Sequence, residues 1–453
     1  MTTLDSDTTT RPTTVTFQDL LDADTHPVPP VLRWQARIGS GPTFVPVERY
    51  TSPEFHRLEV ERVWRRVWQM ACRIDDIAEV GDHLNYDIAG ISILIVRSAP
   101  DEFKAFHNVC LHRGRLLKET AGRDSELRCA FHGFAWELNG SLKHVPCRSD
   151  FPQVTDDWCL PQVQVGLWGG FIFINMDPDA GPLEEHLGAL SEHFAQWPLE
   201  QRYKQAHVAK VLRCNWKVAQ EAFMEAYHVV ATHPQLLPGI GDANSQYDVF
   251  GNFSRAITPN GTPSPHLHWE PTQQDMLDAM LDRNIDDPIT IRVPDGKTAR
   301  EVVGNLRRES MRPVLGDVTT DALSDAEMCD NFYYTVFPNF HPWGAYNRIV
   351  YRFRPFGNHH DMSIMECMFL SPFVGEKPPS AAIRYLGPDD DWADAPELGL
   401  LARVFNQDVF NLAKVQAGLE SGSLERVTFA NYQETKLRHF HELLERWVQS
   451  PQP

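Results

Sequence analysis

The chain of 453 residues has no stretch approaching the roughly 20 consecutive apolar residues of a membrane span. Its opening, "MTTLDSDTTTRPTTVTF", lacks an apolar core and an early basic cluster, so no secretory leader is expected. Basic charge is short as well: 42 Lys and Arg stand against 61 Asp and Glu, a formal net charge of −19. That balance argues against a nucleic-acid coat and against a general affinity for acidic membranes. It is compatible with a basic protein partner. Cysteine is sparse, and of Cys72, Cys110, Cys129, Cys147, Cys159, Cys214, Cys329 and Cys367 only Cys110 and Cys129 sit in a pattern. The expectation is a reducing cytoplasm and no disulfide framework. There is no internal repeat, no G-x-G-x-x-G nucleotide loop and no plant-type four-cysteine set. Hydride from NAD(P)H therefore has no acceptor here.

What remains is globular in composition, 42% hydrophobic and 23% charged, with length for two or three domains. Residues 1–45, rich in Thr and Pro, predict an extended arm. "SPEFHRLEVERVWRRVWQMAC" predicts a helix with Ser52 as cap and Pro53 in the first turn. From about 80 to 176 the texture is short strands broken by Gly, Pro and Asn, with Asn139-Gly140 as a hairpin signal. "RCNWKVAQEAFMEAYHVVATHP", Arg213 to Pro234, predicts a helix. A polar section from 235 to 330 follows, then alternating strands, then a long helix from about Glu397 to Gly418.

Two constellations carry chemistry. The first is Cys110-x-His112 and Cys129-x2-His132, with sixteen residues between His112 and Cys129. Two thiolates and two imidazoles suit tetrahedral zinc. They equally suit a Rieske [2Fe-2S] cluster, where two histidines replace two cysteines on one iron and raise its potential. Each knuckle gives one Cys and one His, both in β-loops, whereas a zinc finger usually groups its cysteines together and sets its histidines on a helix. Gly114 and Gly133 follow the histidines and allow tight loops.

In the second constellation, Glu225 and His228 are three apart and share a helix face. His233 is five further on, and Pro234 disfavours α conformation there, so His233 is free to swing back. A surface histidine plus a helix-end histidine is an equal reading of that spacing alone. Far along the chain, Asp408 falls on the apolar stripe Leu401, Phe405, Leu412, Val415. A carboxylate buried there ends up paired, protonated or on a metal. Two histidines and a carboxylate form the facial triad of non-haem Fe(II) oxygenases. Spacing alone does not bring Asp408 to His228.

"CLHRGRLL" and "CAFHGFAWELNGSL" resemble the two cluster loops of Rieske non-haem iron (aromatic ring-hydroxylating) oxygenases, with Phe131 where that family usually has Tyr. "NWK…E-x2-YH-x4-HP" followed by "NQD" resembles the catalytic domain of their α subunits, with Ala222 where an amide is frequent. The resemblance covers about residues 45 to 453. It implies an α+β chain: an N-terminal all-β Rieske domain over 46–180, including the preceding helix, and a C-terminal helix-grip-like antiparallel sheet with flanking helices over 181–453. It implies Cys110, His112, Cys129 and His132 as cluster ligands, and His228, His233 and Asp408 as ligands of mononuclear Fe(II). Glu225 matches the acidic residue that links the two centres across a subunit interface.

The implied activity is oxygen activation and mono- or cis-dihydroxylation with NAD(P)H-derived electrons. These arrive through a separate reductase, with or without a ferredoxin, in a trimer with or without β subunits. The apolar strands after 330 suggest an aromatic, terpenoid or steroid-like substrate. Demethylation and desaturation share the iron chemistry; a non-catalytic Rieske carrier and a zinc-stabilised binding module are more remote readings. Of the remaining candidates, His107 reads as a strand residue, His341 as structural in a Pro-rich loop, and Tyr227 as core. Trp168 reads as a packing residue, and His266 and His268 as lacking supporting ligands.

Overall fold

The computed structural model describes residues 15–36, 41–281 and 291–450. The short strands of the first half form a seven-stranded antiparallel sheet in the order Gln69–Arg73, Phe171–Asn175, Gln162–Trp168, Glu102–His107, Ile91–Ala99, Asp82–Ile88, Gly122–Arg123. A three-stranded sheet of Leu127–Arg128, Ala135–Trp136 and Leu142–His144 packs beside it. The Asn139-Gly140 signal falls in the turn between the last two of these. Gly140 sits at φ +86°, and a Cβ there would meet the Phe106 ring at 2.4 Å. Only glycine satisfies both the turn and the packing.

The second half is built on an eight-stranded sheet in the order Gln246–Phe250, Phe253–Thr258, Asn331–Val336, Phe340–Pro342, Ile349–Pro355, Ser363–Pro372, Arg202–Leu212, Arg384–Leu386. All pairings are antiparallel except the last. Register puts Tyr351 opposite both His341 and Cys367. With a period of two, Trp343, His341, Tyr351, Phe353 and Cys367 therefore share one face. Helical segments from residues 216–232 and the helix Leu401–Glu420 cover that face. Phe223 lies 5.3 Å from the Tyr351 ring and Phe405 5.8 Å from it. The α+β architecture expected from the sequence is the one observed.

Two local expectations differ. The described part of the N-terminal segment is not an extended arm. It holds helices Phe17–Asp22 and Pro30–Arg33, the first closed by a Thr16 capping box. Phe17, Leu21, Val31 and Leu32 are buried, and Phe17 packs edge-on against Phe332 of the second sheet. Four apolar anchors outweigh the turn-rich composition around them. Arg213–Pro234 is not one helix either: it splits into Trp216–Glu221 and Val229–Thr232, with turns between. Tyr227 lies in that break and is 45% exposed rather than core.

The helix grouped with the β domain touches both halves of the chain, its Val60, Val63 and Trp64 sharing a core with Ile77, Tyr86 and Ile172 as well as with Trp216. Ser52 caps it as expected, its side chain accepting from Phe55 N–H. It runs Pro53–Glu59 and continues as a π turn Val60–Trp64. Trp64 meets Trp216 at 4.9 Å, and Glu59 pairs with Lys217 at 2.7 Å with both side chains fully buried. Burial raises the Glu59 carboxyl while Lys217 counters it. Removing one partner of such a pair leaves an uncompensated buried charge. Lys217→Met is expected to lower the unfolding free energy by about 3–5 kcal/mol, and Glu59→Leu/Lys217→Met to recover most of the loss. Urea denaturation of the three proteins checks this; a single variant as stable as the parent contradicts it.

Candidate metal centres and the cavity beside them

The two Cys-His loops fold alike. Cys110 N–H donates to Arg115 C=O at 2.7 Å and Gly114 N–H to Cys110 C=O at 2.9 Å. In the other loop Cys129 N–H donates to Phe134 C=O at 2.8 Å and Gly133 N–H to Cys129 C=O at 3.0 Å. Gly114 (φ +76°) and Gly133 (φ +79°) take the left-handed turn in each. Asn108 braces the first loop, its Oδ1 accepting from Leu117 and Lys118 N–H. Cys110 and Cys129 are buried at the inner end, while His112 is half-buried and His132 exposed, their rings 4.7 Å apart. His112 stacks on Phe134 at 4.6 Å. Burial pushes the Cys110 thiol up, as does the Cys129 sulfur beside it, although the His112 and Arg113 N–H groups oppose that. Two sulfurs inside, two imidazoles outside and amides aimed at sulfur match the donor set of a Rieske cluster.

The second set also converges. His228, His233 and Asp408 offer ligand atoms that all lie within 4.8 Å of one another. His233 follows the short helix Val229–Thr232 with φ −127°, ψ 53°, as Pro234 demands. Its Nε2 lies 2.8 Å from Asp408 Oδ1, and His228 Nε2 lies 3.7 Å from the same oxygen. Both outer nitrogens are held. His228 Nδ1 is 2.8 Å from Glu225 Oε1, while His228 N–H donates to Glu225 Oε2 at 2.9 Å. Glu225 thus reaches His228 across a turn, not along a regular helix face.

His233 Nδ1 is 2.9 Å from Gln407 Oε1, which also accepts from Gln235 Nε2 at 3.1 Å. Outer partners of this kind fix the tautomer that aims Nε2 at a metal. Burial disfavours charge on His228, but Glu225 and Asp408 outweigh it and hold the imidazole up at about 9. A metal binding there displaces that proton.

Sequence reading missed Gln407, although it is the middle residue of the "NQD" run and its pairing with His233 needs the fold. The cavity beside the trio was not legible either. About 410 Å3 in volume, it is walled by Glu221, Glu225 and Glu434 together with Leu412, Leu419 and Phe429. Ala222, at the position of the frequent amide, lines it too.

His341 lies in a strand, not a loop, buried between Thr335 Oγ1 and Gln220 Oε1 at 3.0 Å each. His107 ends a strand, and Trp168 packs against Phe194. Among the described residues, His266 and His268 join no group of metal-ligand geometry. A second trio, Asp24, His26 and Asp325, does group. Its carboxylates already accept from Asp325 and Ala326 N–H, Thr25 and Arg308, so it reads as a structural clasp.

A family model for the ring-hydroxylating α subunit (catalytic domain) matches residues 190–450, and a Rieske [2Fe-2S] domain model matches residues 67–158. The chain belongs to the ring-hydroxylating α-subunit family. Membership brings a Rieske cluster and a mononuclear iron with it, and the two donor sets above fit both groups. Among relatives, the carnitine monooxygenase oxygenase subunit of Escherichia coli is 28% identical over 214 residues, 46% of this chain and 57% of that protein. The chlorobenzene dioxygenase subunit alpha of a Cupriavidus strain is 31% identical over 191 residues, 40% of this chain and 42% of that protein. The chain thus spans about half the length of the curated relatives it matches. The crystal structure of the quaternary ammonium Rieske monooxygenase CntA superposes with a TM-score of 0.64 at 18% identity, covering 89% of this chain and 95% of that one. At that identity the likeness shows the fold alone. Among the described residues no helix is long and apolar enough to cross a membrane.

Gln407→Ala is expected to free the His233 ring and weaken divalent metal binding at the trio roughly 10–100-fold. Co(II) titration of protein stripped of its mononuclear metal reads this directly. Unchanged affinity would detach Gln407 from the site.

Proposed function

We propose that this chain is the oxygenase component of a Rieske non-haem iron system, with Cys110, His112, Cys129 and His132 on the cluster and His228, His233 and Asp408 on the mononuclear iron. The observation that carries the reading is the trio itself: three ligand atoms within 4.8 Å, two of them held from behind by Glu225 and Gln407. When bound, the cluster supplies single electrons, and a two-histidine, one-carboxylate iron leaves positions for activating dioxygen. The chain's own residues do the rest. Asp408 supplies the anionic donor. Glu225 and Gln407 hold the imidazoles with Nε2 inward. The ring-lined inner face, with Phe223, Trp343, Tyr351 and Phe405, keeps water from the substrate. A non-catalytic carrier has no use for this second donor set.

Electrons come from a separate reductase, with or without a ferredoxin. In a trimer, with or without β subunits, the exposed His132 hands them to a neighbouring subunit. Glu225 then relays them to His228, since its carboxylate joins that histidine to the wall of the cavity.

The substrate we propose is a small quaternary ammonium compound. Aromatic rings attract a cation through their faces, and the inner face carries a run of them: Trp343, Tyr351 and Phe353 are linked ring to ring at 6.0 and 6.2 Å. The relatives named for carnitine and quaternary ammonium support this class. An apolar aromatic substrate, the class read from the sequence, remains the second reading. The same uncharged rings and the chlorobenzene relative favour it. Hydroxylation and demethylation are both open to this iron chemistry.

Substrate-dependent NADH consumption with a reconstituted reductase should rise with carnitine or choline and stay at background with chlorobenzene; the reverse selects the second reading. Asp408→Ala is expected to lose mononuclear iron while the visible cluster spectrum stays, and unchanged iron content would end the triad assignment. Glu225→Ala is expected to keep both metals yet lose turnover. Normal turnover in that variant removes Glu225 from the relay.

A further inference from the structure

A buried N–H without an acceptor has lost its water and gained nothing in return, and that costs free energy. Two such groups belong to the inner face of the second sheet. His341 and Trp343 are two residues apart and share that face, about 7 Å apart along an extended chain. Gln220, on the covering helix Trp216–Glu221, is fully buried, and its Oε1 lies 3.0 Å from His341 Nε2. A carbonyl oxygen only accepts, so His341 Nε2 carries the hydrogen and Nδ1 accepts from the Thr335 hydroxyl at 3.0 Å. With Oε1 engaged, the Gln220 amide still has its two N–H donors. Among the described residues neither Gln220 Nε2 nor the indole Nε1 of Trp343 has a hydrogen-bond partner.

The rings beside these donors lead to the iron trio. Trp343 stands 6.0 Å from the Tyr351 ring, and Tyr351 stands 5.8 Å from Phe405, one turn before Asp408. Burial raises the Tyr351 hydroxyl, and Cys367 and the Asp408 charge add to it. Trp343 and Phe223 keep partial exposure beneath the covering helices.

A basic group stands near the same end. Lys436 is fully buried, its Nζ donating to Tyr333 C=O at 2.9 Å. That nitrogen is 4.5 Å from the Tyr333 ring, which is itself 5.5 Å from Trp343. Among the described residues no carboxylate pairs with Lys436. Burial holds its amine well below the usual lysine range. Burial also holds the His341 imidazole low, with Lys436 adding to it. A carboxylate brought to this end supplies a counter-charge and raises the proton affinity of the amine.

Resting on the quaternary ammonium reading above, we propose that Gln220 Nε2 and Trp343 Nε1 form the subsite for a carboxylate at the far end of the substrate. The substrate is then a quaternary ammonium carboxylate, not an ammonium ion without one. The rings of Tyr351 and Phe353 take the cationic head, and the two donors, with Lys436 behind them, take the anionic end. Burying both charges of such a molecule is costly unless each meets a partner. A site built to hydrogen-bond a substrate group rejects the analogue that lacks it.

The test is calorimetric titration of the holoenzyme with no electron donor, which reads binding without turnover. The probes are γ-butyrobetaine and butyltrimethylammonium, which differ in the carboxylate alone. The wild type should bind γ-butyrobetaine at least about ten-fold more tightly. Trp343→Phe keeps a ring and deletes the N–H. Gln220→Glu keeps an oxygen for His341 and turns the donor end into an acceptor. Each variant should remove most of the preference. A wild type that does not prefer γ-butyrobetaine overturns the proposal, and so does a preference that survives in both variants. A third probe, the carboxylate in which carbon replaces the ammonium nitrogen, separates the two readings. If it binds as tightly as γ-butyrobetaine, the quaternary ammonium reading fails, while the two variants still decide the carboxylate subsite.

Discussion

Asp408 is a carboxylate on the buried stripe of a helix, and the surrounding structure answers the cost of burying that charge. Its side chain is 4% exposed, and among the described residues no Lys or Arg forms an ion pair with it. What meets it are two imidazoles from a segment about 180 residues earlier. Bringing them there requires a break in one helix, a proline that ends the next turn, and a late helix laid across the same sheet face. The trio is thus the meeting point of three elements of the second domain. The second sheet, with its ring-bearing inner face, is the platform they share.

The two halves of the chain are also tied by charge. Glu59, from the helix ahead of the β sheet, and Lys217, one turn before the break, are both fully buried and bonded to each other. That pair fixes where the segment carrying Glu221, Glu225 and His228 begins. Tyr50, from the short helix just ahead, reaches the same segment through Glu221. The front of the chain therefore positions the acidic wall of the cavity, although its own strands belong to the other domain.

Much of this was legible in the sequence. The two Cys-His loops, the Ser52 cap, the Asn139-Gly140 turn and the Asp408 stripe are local patterns that local geometry decides, except that Val415 at the end of the stripe is 46% exposed. His233 was legible because Pro234 constrains the residue before it. The failures are equally physical. Glu225 to Pro234 has helical spacing, but the binding of His228 N–H and Nδ1 by one carboxylate is compatible with a turn, and the chain takes one. Tyr227 leaves the core as a result. The N-terminal helices were hidden by Thr and Pro, because four apolar residues in such a stretch show no periodicity until a partner surface exists. Gln407 and the cavity carry no local signal at all; each is defined by side chains far apart in sequence.

The central claim is that one chain holds two distinct iron sites, one through cysteine and histidine and the other through histidine and carboxylate. Iron and acid-labile sulfide per chain, measured on the purified protein, test it most directly. A [2Fe-2S] cluster plus one mononuclear iron gives about three irons and two sulfides. A colourless protein with zinc and no sulfide, or one with two irons and two sulfides that gains no further iron on reconstitution, would contradict the account.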